Sequence, residues 1–186
     1  PHLDTAFTAW SGVLWGTENS TEWECAVSTN AIDNQKIWAG LKLTNDQLVA
    51  TDADQAYFKF QTDATNSEAF TDFTLLHFVH SIGGTDYISA LPITVAANTT
   101  YHLKVVIDSD RKATIFVNGQ QYNVTGTAGS TGGTAVTAVA EGATVTKTAA
   151  LTDDVDFIPY IGIEAGAAAA EALDVHYQAI NRIIFE

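Results

Sequence analysis

The chain has 186 residues, 46% of them hydrophobic and 16% charged, and its 22 acidic and 8 basic residues leave a formal net charge of −14. That length suits one domain with a real core, and without a cluster of Lys or Arg the chain lacks the footprint needed along a phosphate backbone or an anionic membrane. The one cysteine, Cys25, excludes an intrachain disulfide.

Strand patterns dominate from the first third onward. Trp23, Cys25 and Val27 alternate with Glu22, Glu24 and Ser28, the period of a half-buried strand. A turn at Asn30–Asn34 leads to a strand over Lys36–Leu43, closed by Asn45-Asp46. Residues Gln55–Thr62 alternate again, with Tyr57, Lys59 and Gln61 against Ala56, Phe58 and Phe60. Phe73–His80 is apolar on both faces, which predicts a central strand covered on both sides. Gly83-Gly84 turns the chain, and Tyr87–Leu91 returns.

Residues Thr100–Val124 predict a three-stranded meander. Tyr101, Leu103, Val105 and Ile107 face inward, then Ala113, Ile115 and Val117, with Asn118-Gly119 as the hairpin turn because both positions need positive φ. Residues 126–150 are rich in Gly, Ala and Thr and predict either an ordered arm against a neighbouring subunit or a mobile loop. Phe157–Glu164 and Leu173–Phe185 are the last strands, the final one expected to end inside a sheet, and the alanines of Gly166–Ala172 allow one or two helical turns. Short strands with turns every 8–12 residues predict an all-β, two-sheet antiparallel jelly-roll sandwich over 1–186, with an insertion at about 126–150.

The order of features from Thr100 resembles the concanavalin A-like (laminin G-like) jelly rolls: the strand Tyr101–Asp108, a charged turn, Ala113–Gly119 with its hairpin, then Phe157–Glu164 before the closing strand. Within that superfamily, Trp38-Ala-Gly-Leu, Phe157-Ile-Pro-Tyr-Ile-Gly-Ile-Glu and the alanine tract before Leu173-Asp-Val-His-Tyr look most similar to structural proteins of tailed-phage virions. That resemblance implies a non-catalytic role in the virion, decorating a capsid or forming part of a tail or fibre. It also implies a self-associating chain, a trimer by expectation, whose partner is the major capsid or tail protein. Assembly would take place in the host cytoplasm, in keeping with the lack of a visible signal peptide and of disulfides. The alternative is a lectin-like module for a cell-surface glycan.

Chemistry is sparse in the linear pattern. Glycosidases of this fold class need paired carboxylates, but Glu22-Trp-Glu24 lacks a third acid because Val27 stands in its place, so both are expected on the wet face of an edge strand. Asp46, Asp52 and Asp54 in one loop, and Asp153, Asp154 and Asp156 in another, would offer oxygen ligands to a structural calcium; turn preference accounts for them as well, and no cofactor is expected. His77 and His80 fall on opposite faces of one strand, which is poor for joint metal binding, and His102 could neighbour either across a sheet. With no nucleophile elbow or phosphate loop, the expectation is that the chain is not an enzyme. Trp10 and Trp15, flanking Ser11-Gly12, are the candidate sugar-stacking residues.

Overall fold

The structure is a computed structural model and describes residues 2–4, 15–43, 52–62, 73–129, 132–165 and 171–183. In chain order the strands are β1 (His2–Asp4), β2 (Trp15–Gly16), β3 (Glu22–Thr29), β4 (Gln35–Lys42), β5 (Gln55–Gln61), β6 (Leu75–Ile82), β7 (Thr85–Thr94), β8 (Tyr101–Ile107), β9 (Ala113–Val117), β10 (Gln120–Tyr122), β11 (Thr134–Ala135), β12 (Asp156–Ala165) and β13 (Leu173–Asn181). They form two sheets. The larger runs β1-β12-β4-β5-β6-β7-β11, with β2 also on β12; the smaller runs β10-β9-β8-β3-β13. Among the described residues every pairing is antiparallel except that of β11 with β7. This is the expected jelly-roll sandwich.

Alternation decides which side chains meet between the sheets. Trp23, Cys25 and Val27 of β3 and Leu103, Val105 and Ile107 of β8 face Ile37, Ala39 and Leu41 of β4, Ala56, Phe58 and Phe60 of β5, and Phe78 of β6 in one core. Cys25 is fully buried, and burial pushes its thiol far above the usual range, so it acts as a small apolar residue. The meander folds as its sequence predicts: Asn118 and Gly119 have φ of 51° and 80°. The Asn118 amide also donates to the His102 carbonyl at 2.8 Å, and the His102 amide donates to Asn118 Oδ1 at 2.8 Å, which docks the turn on β8.

Three expectations change. β3 is flanked by β8 and β13, so Glu22 and Glu24 sit on an interior strand, not an edge. Among the described residues β13 pairs only with β3, so the closing strand ends the smaller sheet rather than lying inside it, and its Tyr177 is 40% exposed. The described residues of 126–150 pack on their own chain rather than standing off as an arm. The Val124 amide donates to Thr146 O at 3.1 Å, Thr148 and Ala113 exchange backbone and hydroxyl bonds, and Val136 N donates to Ala90 O at 3.0 Å. The segment thereby satisfies backbone groups along β9–β10 of one sheet and β7 of the other, which closes that side of the sandwich. The stretch Gly166–Ala170, where helical turns were expected, lies outside the described residues.

Candidate functional site on the outer face of the larger sheet

The face of the larger sheet turned away from the core carries a polar and aromatic layer. Register places it in three rows across the strands. The first is Gly162, Trp38, Lys59, His77 and Ala90; the second is Tyr160, Gly40, Tyr57, Val79 and Ile88; the third is Ile158, Lys42, Gln55, Ser81 and Asp86. Neighbours within a row stand about 5 Å apart by the strand spacing. Trp38, Tyr57, Val79 and Tyr160 form an apolar cluster separate from the inter-sheet core.

One glycine lets an aromatic ring lie down, and another lets two strands approach closely. A Cβ on Gly162 would fall 2.6 Å from Trp38 Nε1, and one on Gly40 would fall 2.4 Å from the Tyr57 Cα. Trp38 therefore lies against bare β12 backbone, parallel to Tyr160 within 1° at 6.0 Å between ring centroids. Lys42 Nζ sits 4.4 Å from the Tyr160 ring centre and 3.8 Å from Asp52 Oδ2. From the flank, the 126–150 segment reaches onto this face: a Cβ on Gly133 would meet His77 Cδ2 and Ile88 Cγ2, each at 3.2 Å.

Although they point away from the core, Lys42, Lys59, Tyr57, His77 and Tyr160 are all at most 5% exposed. Burial and the neighbouring Lys36 pull the Lys59 ammonium down to about 8, against the opposing pull of Asp86 and Glu164. Burial, with Asp86 and Asp52 nearby, pushes the Tyr57 phenol well above its usual range, so it keeps its proton. His77 Nδ1 lies 3.0 Å from Leu75 O. A carbonyl only accepts, so the neutral ring carries its proton on Nδ1 and its lone pair on Nε2.

The residues singled out in the sequence fall elsewhere. Trp15 pairs with Phe157 and is 6% exposed, which corrects its expected role as an open sugar platform: pairing with β12 turns the indole inward. Trp10 lies outside the described residues. Glu22 accepts from Lys104 Nζ at 2.5 Å and Glu24 lies 4.0 Å from the same ammonium, on the partly exposed outer face of the smaller sheet. Asp52 and Asp54 are buried, and Asp54 holds loops together by accepting from Gly83 N at 3.1 Å and from the Thr152 hydroxyl. Asp153 and Asp154 come within 4.8 Å of Glu18, all three exposed, and Asp153 is also 3.1 Å from Arg111; Asp156 is not in that group and Asp46 lies outside the described residues. His102 is on the smaller sheet, across the core from His77 and His80, because the meander belongs to the other layer.

His80 faces the opposite way from His77, into the core between Phe78 and Tyr87, with ring centroids at 5.9 and 4.7 Å. Neither of its ring nitrogens has a hydrogen-bond partner among the described residues, and burial pulls its pKa down from 6.5 to about 4. Between those values the unfolded chain binds the proton and the folded chain does not. The contribution is therefore complete above pH 6.5 and is lost as pH falls toward 4, by roughly 3 kcal/mol. Urea unfolding at pH 7 and pH 5 should show that slope, and His80→Leu should flatten it.

No protein-family model matches the chain, and a search of curated proteins finds no match. Solved structures do. An alginate lyase, A1-II′, superposes with a TM-score of 0.58 at 12% identity, over 97% of this chain and 70% of that one. An alginate lyase from Alteromonas sp. 272 gives 0.55 at 12% identity, over 97% and 78%. A tetrameric galectin from the sponge Cinachyrella gives 0.49 at 12% identity, over 99% and 100%. At such identities the likeness establishes the fold alone: the chain is a concanavalin A-like jelly roll. It also corrects the expectation of a non-enzyme. Several structures similar to this sandwich are lyases, so the fold admits an enzyme, and the linear search tested only carboxylate pairs and nucleophile motifs. Proton-transfer groups brought together by strand pairing rather than by sequence spacing leave no such motif.

Proposed function

We propose that the outer face of the larger sheet binds a polysaccharide, and that its substrate is an acidic uronate polymer of the kind named for the similar lyases, cleaved by elimination. The observation that carries this reading is the convergence of Lys59, His77 and Tyr57 on neighbouring strands, buried on the face that does not build the core.

Elimination needs three things: a cation beside the sugar carboxylate, a base for the proton on the adjacent carbon, and an acid for the departing glycosidic oxygen. Lys59 is positively charged at neutral pH, His77 offers its Nε2 lone pair, and Tyr57 holds a phenolic proton. The base takes the proton, its electron pair becomes a carbon–carbon double bond, the carbon–oxygen bond breaks, and the leaving oxygen takes the proton from the acid. Trp38 and Tyr160 supply apolar ring surface beside them.

Titration calorimetry with alginate oligosaccharides, followed by ultraviolet detection of unsaturated ends at trace protein, tests the reading. It expects both binding and product. Binding without product would leave a glycan-binding module, and neither would overturn the reading. A virion role, implied by the sequence resemblance, would be supported by comigration of the chain with intact particles on a density gradient.

A further inference from the structure

The third row of the outer face contains a hydrogen-bond chain whose direction is fixed by its last member. Gln55 is fully buried, and its Nε2 donates to Ser81 Oγ at 2.9 Å. Ser81 Oγ in turn donates to Asp86 Oδ1. An ionised carboxylate can only accept, so the single hydroxyl proton of Ser81 is committed to Asp86. The Ser81 oxygen is then left as an acceptor, and only the amino end of the Gln55 amide can face it. Flipping the amide would set two acceptors against each other. The carbonyl oxygen, Oε1, is thereby turned away from the chain, buried and without a hydrogen-bond partner among the described residues. A buried acceptor left in this state is costly unless something donates to it.

We infer that Gln55 Oε1 is the part of the site that reads a ligand hydroxyl, and that Asp86 and Ser81 are positioning residues that set its polarity. The inference rests on the polysaccharide reading and deepens it: the row beside Lys42 selects sugars with a free hydroxyl donor at that subsite, and rejects those whose hydroxyls are esterified. Sugar hydroxyls suit the task because each is a donor held on a rigid ring, whereas the uronate carboxylate can only accept. The carboxylate is therefore directed toward Lys59 in the first row and away from Gln55. Gln55 and Lys59 thus impose opposite demands on the ligand and bias its orientation across the strands.

Asp86 is exposed, so its substitution leaves the core untouched. In Asp86→Asn the new amide can donate to Ser81 Oγ, which releases the serine proton toward Gln55. The Gln55 amide then turns over and presents its amino group, and the subsite changes from acceptor to donor. In Gln55→Leu the unpartnered oxygen is removed altogether.

Binding of polymannuronate oligosaccharides, native and O-acetylated, to the wild type, Gln55→Leu and Asp86→Asn by titration calorimetry tests this, with thermal unfolding of each unliganded chain alongside. The wild type should prefer the unacetylated form. Gln55→Leu should keep or raise its Tm, lose about tenfold in affinity for the native oligosaccharide, and lose its discrimination against acetylation; Asp86→Asn should narrow or reverse that discrimination. If the wild type binds the oligosaccharides but both variants discriminate as it does, the inference is overturned while the polysaccharide reading stands. A fall in the Tm of Gln55→Leu with unchanged affinity would overturn it in the same way, by showing that Oε1 is satisfied within the fold or by a buried water. If the wild type binds neither form, the polysaccharide reading fails and takes this inference with it.

Discussion

Lys59→Met is expected to weaken binding of an acidic polysaccharide by roughly 100-fold, the size of one charge-assisted hydrogen bond in a dry site, and to abolish elimination. The methionine keeps the unbranched bulk and removes only the charge. Lys59 is 5% exposed, so its ammonium meets a ligand carboxylate with little water to screen it. Lys36→Met, on the same face, is the control. Lys36 is more exposed and forms a surface pair with a half-exposed Glu164 at 2.9 Å, so its loss should change affinity less than about threefold.

The pH dependence of Lys59 separates its two effects. Its pKa is lowered from 10.5 to about 8 by burial. Below 8 the folded chain holds the proton and offers a cation, so binding should persist through neutral pH and fall as pH rises through about 8. A bound carboxylate raises that value, so the fall for the complex comes at higher pH. Stability runs the other way: between 8 and 10.5 the unfolded chain binds the proton and the folded chain does not, so the unliganded protein should gain stability as pH rises across that window. Calorimetric titration and urea unfolding over the same pH range should give opposite slopes, and Lys59→Met should remove both.

The largest effect on stability is expected for Phe78→Ala, about 3–5 kcal/mol. Phe78 is fully buried at the centre of β6, and its ring meets Phe58 at 5.4 Å with a 59° tilt. β6 is paired on both sides, so neighbouring backbone is not free to close the void. Urea unfolding should show a lower midpoint at an unchanged slope. The same strand turns His77 to the outer face, so a variant that remains folded should also bind ligand more weakly, by loosening the row rather than by removing a contact.

Which parts of this were legible in the sequence follows from where the physics is local. Alternation along Trp23–Val27 and Tyr101–Ile107 is a property of each strand alone, and so is the demand for positive φ at Asn118-Gly119; both lead directly to the sandwich. The outer-face site is not local. The pattern of Tyr57 and Lys59 against Phe58 and Phe60 was visible, as was Lys36–Trp38–Lys42 on the next strand, but each on its own reads as an ordinary solvated face. Only the pairing of β4, β5, β6 and β12 brings Trp38, Lys59 and His77 into one row. The available signal was that two successive strands alternate lysine with aromatics where a wet face would carry short polar residues. Trp15 misled for the opposite reason: nothing near it in sequence shows that β12 will cover it. The 126–150 segment, poor in large apolar residues, gives no sequence sign that its backbone will pair along both sheets.

Hydrogen–deuterium exchange with and without a saturating alginate oligosaccharide tests the placement of the site most directly. The outer-face account predicts new protection in Gln35–Lys42, Gln55–Gln61 and Leu75–Ile82, with Glu22–Thr29 and Tyr101–Ile107 unchanged. Protection confined to the smaller sheet, or none at a concentration where binding is otherwise detected, would contradict it.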